Sequence, residues 1–137
     1  LAAYYFGGAP EGTNLTPLID YLEYVGSRQG EEKWRWMAQA VFIARFRMGD
    51  LNRALTLSQE LAGLWRPGRP AWMQYMPALV LQASGDKKAA SALIMQIIRD
   101  EADKIHPEEI NAMVDVLCQR ALSPREASQN PLCTNRK

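Results

Sequence analysis

The residues able to do acid–base or nucleophilic chemistry are few and scattered. The single histidine, His106, precedes Pro107 at a predicted helix start, so a Ser–His or Cys–His pairing has one candidate base only. Capping that helix is the plainer role for it. Glu108 and Glu109 are adjacent, and a helix points neighbours apart rather than as a facing acid–base pair. Asp100-Glu101-Ala102-Asp103 matches a helicase motif by letters, but no glycine-rich phosphate loop and no strand precede it. Cys118 and Cys133 are too few for a disulfide framework, and no CxxC or Cys/His cluster suits zinc. Two readings of them stay open: free thiols, or one bridge closing the C-terminal tail in an oxidising compartment. Asn14-Leu15-Thr16 matches a glycosylation acceptor, a triplet too common to decide anything. These residues argue against an enzyme, and no cofactor or metal is expected.

The remaining chemistry is that of recognition. Exposed Trp and Tyr anchor protein interfaces, and Trp36 and Trp72 are candidates, with Tyr75 three residues beyond Trp72 on the same face. The competing reading is that a Trp at helical spacing packs between helices. Arg45 and Arg47 suit the clamping of a partner carboxylate; salt bridges to Glu31, Glu32 or Asp50 are the alternative. The net charge is +1 over 137 residues, which sets aside a strongly basic nucleic-acid binder. The charge is uneven, however. Residues 28–69 hold eight Lys/Arg against four Asp/Glu, and residues 86–115 hold four against seven. That asymmetry reads either as ordinary solvated helix faces or as steering of a partner.

The elements that must position these residues are helices. Apolar residues make up 47% of the chain, and Ala, Leu, Met, Arg, Gln and Glu outweigh the strand formers. No segment alternates with period two, so no strand is predicted. Thr16 is placed to cap a first helix with Pro17 in its first turn, and Gly30 ends it. A second helix is expected over Glu31–Met48, a third over Leu51–Trp65 and a fourth over Ala71–Ser84, broken or kinked near Pro77. A fifth is expected over Lys87–Lys104, and a sixth from His106-Pro107 to Leu122. Gly49 and Gly85 supply left-handed corners, and Asp50 and Asp86 the caps that follow. Pro67-Gly68-Arg69-Pro70 is the clearest loop. Residues 123–137 turn polar and read as a mobile tail, leaving 1–122 as the folded domain. No apolar run reaches 18 residues, so no membrane-spanning helix is expected. Leu1-Ala-Ala-Tyr-Tyr-Phe lacks the flanks of a signal peptide and reads as the end of a helix. The start at Leu1 reads as that of a fragment or processed product, whose preceding segment, a membrane anchor among the options, is not visible.

The helices repeat. Trp36-Met37 recurs as Trp72-Met73, Gly49-Asp50 as Gly85-Asp86, Ala54 as Ala90, Leu57 as Leu93 and Leu61 as Ile97, every pair 36 positions apart. Stepping back from Ala54, Leu57 and Leu61 reaches Leu18, Tyr21 and Val25. Stepping forward from Ala78 and Leu81 reaches Val114 and Leu117. Two helices per unit, joined by short turns, imply antiparallel hairpins stacked in series.

This pattern resembles the tetratricopeptide repeat family. The segments Gly49-Asp50-Leu51-Asn52-Arg53-Ala54-Leu55 and Gly85-Asp86-Lys87-Lys88-Ala89-Ala90 look like that family's turn between its two helices. The family's usual unit is 34 residues, and the Pro67–Pro70 loop accommodates two more. The family's Trp, Gly and Tyr positions are held here by Ala38, Phe42 and Arg45, then by Gln74, Ala78 and Leu81, and the tryptophans sit two positions early. The resemblance implies an all-α fold of about two full repeats plus flanking helices, coiled as a short right-handed superhelix with a concave groove. Carried over by register, the groove would hold Trp36, Gln39, Ile43, Phe46 and Arg47. The next repeat would add Trp72, Tyr75, Leu79 and Gln82, and the third helix Glu108, Asn111, Asp115 and Gln119. The function this implies is a protein–protein interaction scaffold or adaptor that holds a peptide or partner helix. Fold-level analogy suggests a bacterial secretion, envelope or surface-polymer assembly protein as its setting. Two other readings stand beside it. One is a slice of a longer solenoid with no binding site of its own. The other is a weak nucleic-acid or small-ligand binder using Trp34, Trp36 and Trp65.

Overall fold

A computed structural model of the chain describes residues 14–28 and 32–135. The readings of Leu1–Phe6 as a helix end, of Gly30 as a helix stop and of Glu31 as a helix start lie outside the described residues. Every regular element among the described residues is helical. By internal contacts the chain divides into two compact units, Leu1–Leu64 and Trp65–Lys137.

The first unit holds α1 (Thr16–Gly26), α2 (Trp34–Phe42) and α3 (Leu51–Gly63), with a π-helical turn, Ile43–Arg47, closing α2. Helix α2 packs on both α1 and α3. Its inward face is set by helical spacing: Trp34, Met37, Ala40, Val41 and Ala44 are buried. Across from it lie Ile19 and Leu22 of α1 and Ala54, Leu57 and Leu61 of α3, also buried. Thr16 does not cap α1. The first amide of that helix, Thr16 N–H, donates to the Asn14 side chain at 3.1 Å instead. Gly26, which the sequence did not single out, lets α1 and α2 meet. A Cβ there would lie 2.7 Å from the Met37 backbone nitrogen.

The corner between α2 and α3 follows the sequence reading. Gly49 takes φ +66°, a conformation an L side chain resists. Asp50 then caps α3, accepting the Arg53 N–H at 3.0 Å. The second unit repeats the device. Gly85 takes φ +94°, and Asp86 accepts the Ala89 N–H at 3.1 Å. Here the corner joins α4 (Trp72–Ala83) to α5 (Lys87–Glu101), and Pro77 sits inside an unbroken α4. The five paired positions outside the corners agree in part. Met37 and Met73, Ala54 and Ala90, and Leu61 and Ile97 are all buried; Trp36 and Trp72 are half-buried; Leu57 is buried while Leu93 is half-buried.

The rest of the second unit is α6 (Pro107–Val116) with a π-helical turn, Leu117–Ala121, followed by α7 (Pro124–Gln129) and α8 (Pro131–Thr134). His106 caps α6: its Nδ1 accepts the Glu108 N–H at 3.3 Å. Helix α5 packs against α4 and against the turn that ends α6. Their shared core includes Ala78, Ala90, Ile94, Met113 and Leu117. Residues 123–135 are not the loose tail that composition suggests. Ser123 and Glu126 form a reciprocal capping box that starts α7. Leu132 packs on the core, and a disulfide joins Cys118 to Cys133 with 5.7 Å between their Cα atoms. Polar composition pointed to disorder; a cap, one anchoring leucine and a covalent tie outweigh it.

Candidate partner-binding surface

Large apolar side chains are exposed on two elements of the first unit: Tyr21 and Tyr24 on α1, and Phe42 and Phe46 on α2 and the turn that closes it. Phe42 is 53% exposed and Phe46 60% exposed. Buried Trp34, Met37 and Val41 take one face of the helix, so Arg35, Gln39, Phe42 and Phe46 fall on the opposite row. The two phenyl rings touch, with centroids 5.0 Å apart and planes tilted by 45°. The Arg45 guanidinium lies 4.6 Å from the centroid of the Phe46 ring, and that of Arg35 lies 4.8 Å from the Trp34 ring. Both are cation–π distances. Arg35 also pairs with Glu32. Met48, partly exposed, follows at the end of the π-helical turn, its N–H bonded to the Ile43 carbonyl at 3.0 Å.

Of the groove residues expected in this unit, Gln39 and Phe46 are exposed, and Trp36 and Arg47 are half-buried. Ile43 is the correction. It is 0% exposed and belongs to the core, so it offers nothing to a partner. The physical reason is that α2 is covered by both α1 and α3, so its buried arc is wide and includes Ile43, one turn after buried Ala40. Phe42 is the residue the repeat register passed over. Its signal was present in the spacing of Arg35, Gln39, Phe42 and Phe46, a second helical row opposite the core stripe.

In the second unit, Trp72, Tyr75, Leu79, Gln82 and Asp115 are half-buried, and Glu108, Asn111 and Gln119 are exposed. Tyr75 packs against the core cluster. Burial, and then the charge of Glu109, hold its hydroxyl above the usual phenol range. Glu109 itself accepts the Ala71 N–H at 2.9 Å. These groups form a structural network at the start of α4.

Each unit also has an open groove. In the first, about 610 Å³ is lined by Asp20, Glu23, Tyr24, Met37, Glu60 and Leu64 among others. Arg53 reaches from α3 to α1 and donates to Asp20 at 2.8 Å and Glu23 at 2.9 Å. The Glu60 carboxyl is pushed up to about 7, first by partial desolvation beside the groove, then by its hydrogen bond to Glu23 and by that residue's charge; Arg53 pulls the other way. Glu60 thus holds its proton to higher pH than an ordinary carboxyl does. In the second unit, a groove of about 550 Å³ lies between the Trp65–Pro70 loop and the turn before α6, lined by Trp65, Arg69, Lys104, His106 and Glu109 among others. The Trp65 indole N–H is committed to the Arg69 carbonyl at 3.0 Å.

Among the described residues no helix is long and apolar enough to cross a membrane. Comparison with protein families, with curated proteins and with solved structures finds no match to the chain.

Proposed function

We propose that this chain is a protein-interaction module, a tetratricopeptide-like adaptor that holds a peptide or helix of a larger assembly. The observation that carries the reading is the Phe42–Phe46 pair: two touching aromatic rings left more than half exposed on a helix whose other face is core. Exposed apolar clusters on an otherwise folded surface mark binding sites, and aromatic anchors dominate interface energetics. The repeat reading is supported by the two Gly-Asp corners, which share a left-handed glycine and an aspartate cap 36 positions apart.

Display panning of random peptides against the intact chain tests this. Selected peptides should bind the Phe42→Ala/Phe46→Ala variant at least about tenfold more weakly, as loss of paired hot-spot rings does. The variant should keep the wild-type melting temperature, because both side chains face solvent. Selected peptides that bind wild type and variant equally would place the interaction elsewhere and remove the basis of this reading.

A further inference from the structure

We propose that the apolar segment Leu1–Phe6 folds back on α1, covers the row of Leu18, Tyr21 and Val25, and so completes a third hairpin. This row lies on a different helix from the Phe42–Phe46 pair, and the inference stands without the interaction reading above.

Asn14 sets the register. Asn14, Asp50 and Asp86 are spaced 36 positions apart. Each side chain accepts an amide N–H at the start of the helix that follows: Asn14 from Thr16 at 3.1 Å, Asp50 from Arg53 at 3.0 Å and Asp86 from Ala89 at 3.1 Å. Helix α1 is therefore the counterpart of α3 and α5, each the second helix of its hairpin. One row of α3, Ala54, Leu57 and Leu61, is fully buried, and α3 packs on α2. The counterparts on α5 are Ala90 and Ile97, buried, and Leu93, half-buried. On α1 the same row is Leu18, Tyr21 and Val25. Leu18 and Val25 are half-buried, and Tyr21 is 56% exposed. The neighbouring row is filled: Leu22, like its counterparts Ser58 and Ile94, is 0% exposed. Helix α1 thus has its contact with the helix after it, α2. Among the described residues it lacks the contact that α3 and α5 make with the helix before them.

The residues 36 positions ahead of the inward face of α2 supply the cover. Leu1, Tyr4 and Tyr5 correspond to Met37, Ala40 and Val41, all buried. Leu1 and Tyr5 correspond also to Met73 and Pro77 of α4, again buried. Leu1–Phe6 carries no charged side chain, which suits an apolar row. Its reach is sufficient. Seven residues separate Phe6 from Asn14 and can span about 23 Å. The 11 residues of α1 rise only about 16 Å. Gly7, Gly8, Pro10 and Gly12 in that connection are turn formers. So short a tether holds the segment at a millimolar effective concentration, which favours it over a second copy or a separate partner for the same row.

Isotope-edited NMR of the intact chain provides the test. The Tyr21 ring should show NOEs to side chains of Leu1–Phe6 within one molecule. In urea unfolding, Tyr21→Ala should lower the folding equilibrium constant at least about tenfold in the wild-type background. On a Tyr4→Ala/Tyr5→Ala background the same change should cost less than about twofold, since the contact is already gone. Ala3→Lys, at the counterpart of exposed Gln39, should leave stability unchanged. The NOE measurement uses the wild type, so it decides even where a variant fails to fold. A Tyr21 ring without NOEs to Leu1–Phe6 would overturn the inference, as would a Tyr21→Ala cost that is the same on both backgrounds. A loss at Ala3→Lys equal to that of Tyr4→Ala/Tyr5→Ala would overturn the register on which it stands. NOEs seen only between labelled and unlabelled chains would assign the row to a second copy, with the same consequence.

Discussion

At the scale of single residues, Glu60 is the group whose chemistry departs most from its ordinary value. Its folded carboxyl titrates at about 7 rather than at the ordinary 4.5, so between those values the folded chain holds a proton that the unfolded chain has lost. Stability from this group is complete below about pH 4.5, falls as pH rises, and is gone above about 7. Glu60 keeps contact with solvent, and screening reduces the effect to about 1 kcal/mol or less. Urea unfolding at pH 5 and pH 8 should show the wild type losing stability across that window. Glu60→Gln should lose less, because an amide can donate to Glu23 at both values. Equal pH dependence in the two proteins would show that the folded chain does not hold the Glu60 proton above its ordinary range.

At the scale of elements, the approach of α1 to α2 depends on an atom that is missing. Gly26 is buried, and an added Cβ would sit 2.7 Å from the Met37 nitrogen and 2.9 Å from its Cβ. Neither neighbour is a flexible tip, so the backbones must separate. Gly26→Ala should therefore destabilise the chain by about 1–3 kcal/mol, the range for overpacking a filled contact, measured by denaturant unfolding. An unchanged midpoint would mean that α1 can shift freely on α2. The Gly-Asp corners were readable from sequence because their requirement is local: one residue of positive φ and one side chain that caps. Gly26 was not, because its constraint comes from a helix folded back on it.

At the scale of the whole molecule, the Cys118–Cys133 bridge acts through the unfolded chain. It closes a loop of 15 residues, and restricting such a loop stabilises the folded state by about 3 kcal/mol. Cys118→Ser/Cys133→Ser should lower unfolding free energy by that order, and hydrogen exchange should quicken first in α7 and α8. Reduction of the wild type should reproduce the loss. A double variant as stable as the oxidised wild type would show that Leu132 and the capping box hold these helices without the bridge. The bridge persists only where thiols are oxidised, so its presence in the native protein also reports on the surroundings in which it acts.

Periodicity, turn residues and the spacing of repeated pairs determined the helices, both corners, the caps at Asp50 and Asp86 and the role of His106, because each rests on forces acting within a few residues. The inward stripe of α2 was legible for the same reason. Tertiary packing decided how wide the buried arc of α2 is, since two helices rather than one close over it. Phe42 and Ile43 are neighbours of similar hydrophobicity, yet one is 53% exposed and the other 0%, because successive helical residues point about 100° apart and the two helices packed on α2 reach Ile43 but not Phe42. The ordering of residues 124–134 likewise had to wait for the fold, since a short polar segment cannot bury enough surface to order itself until a core and a distant cysteine are there to receive it.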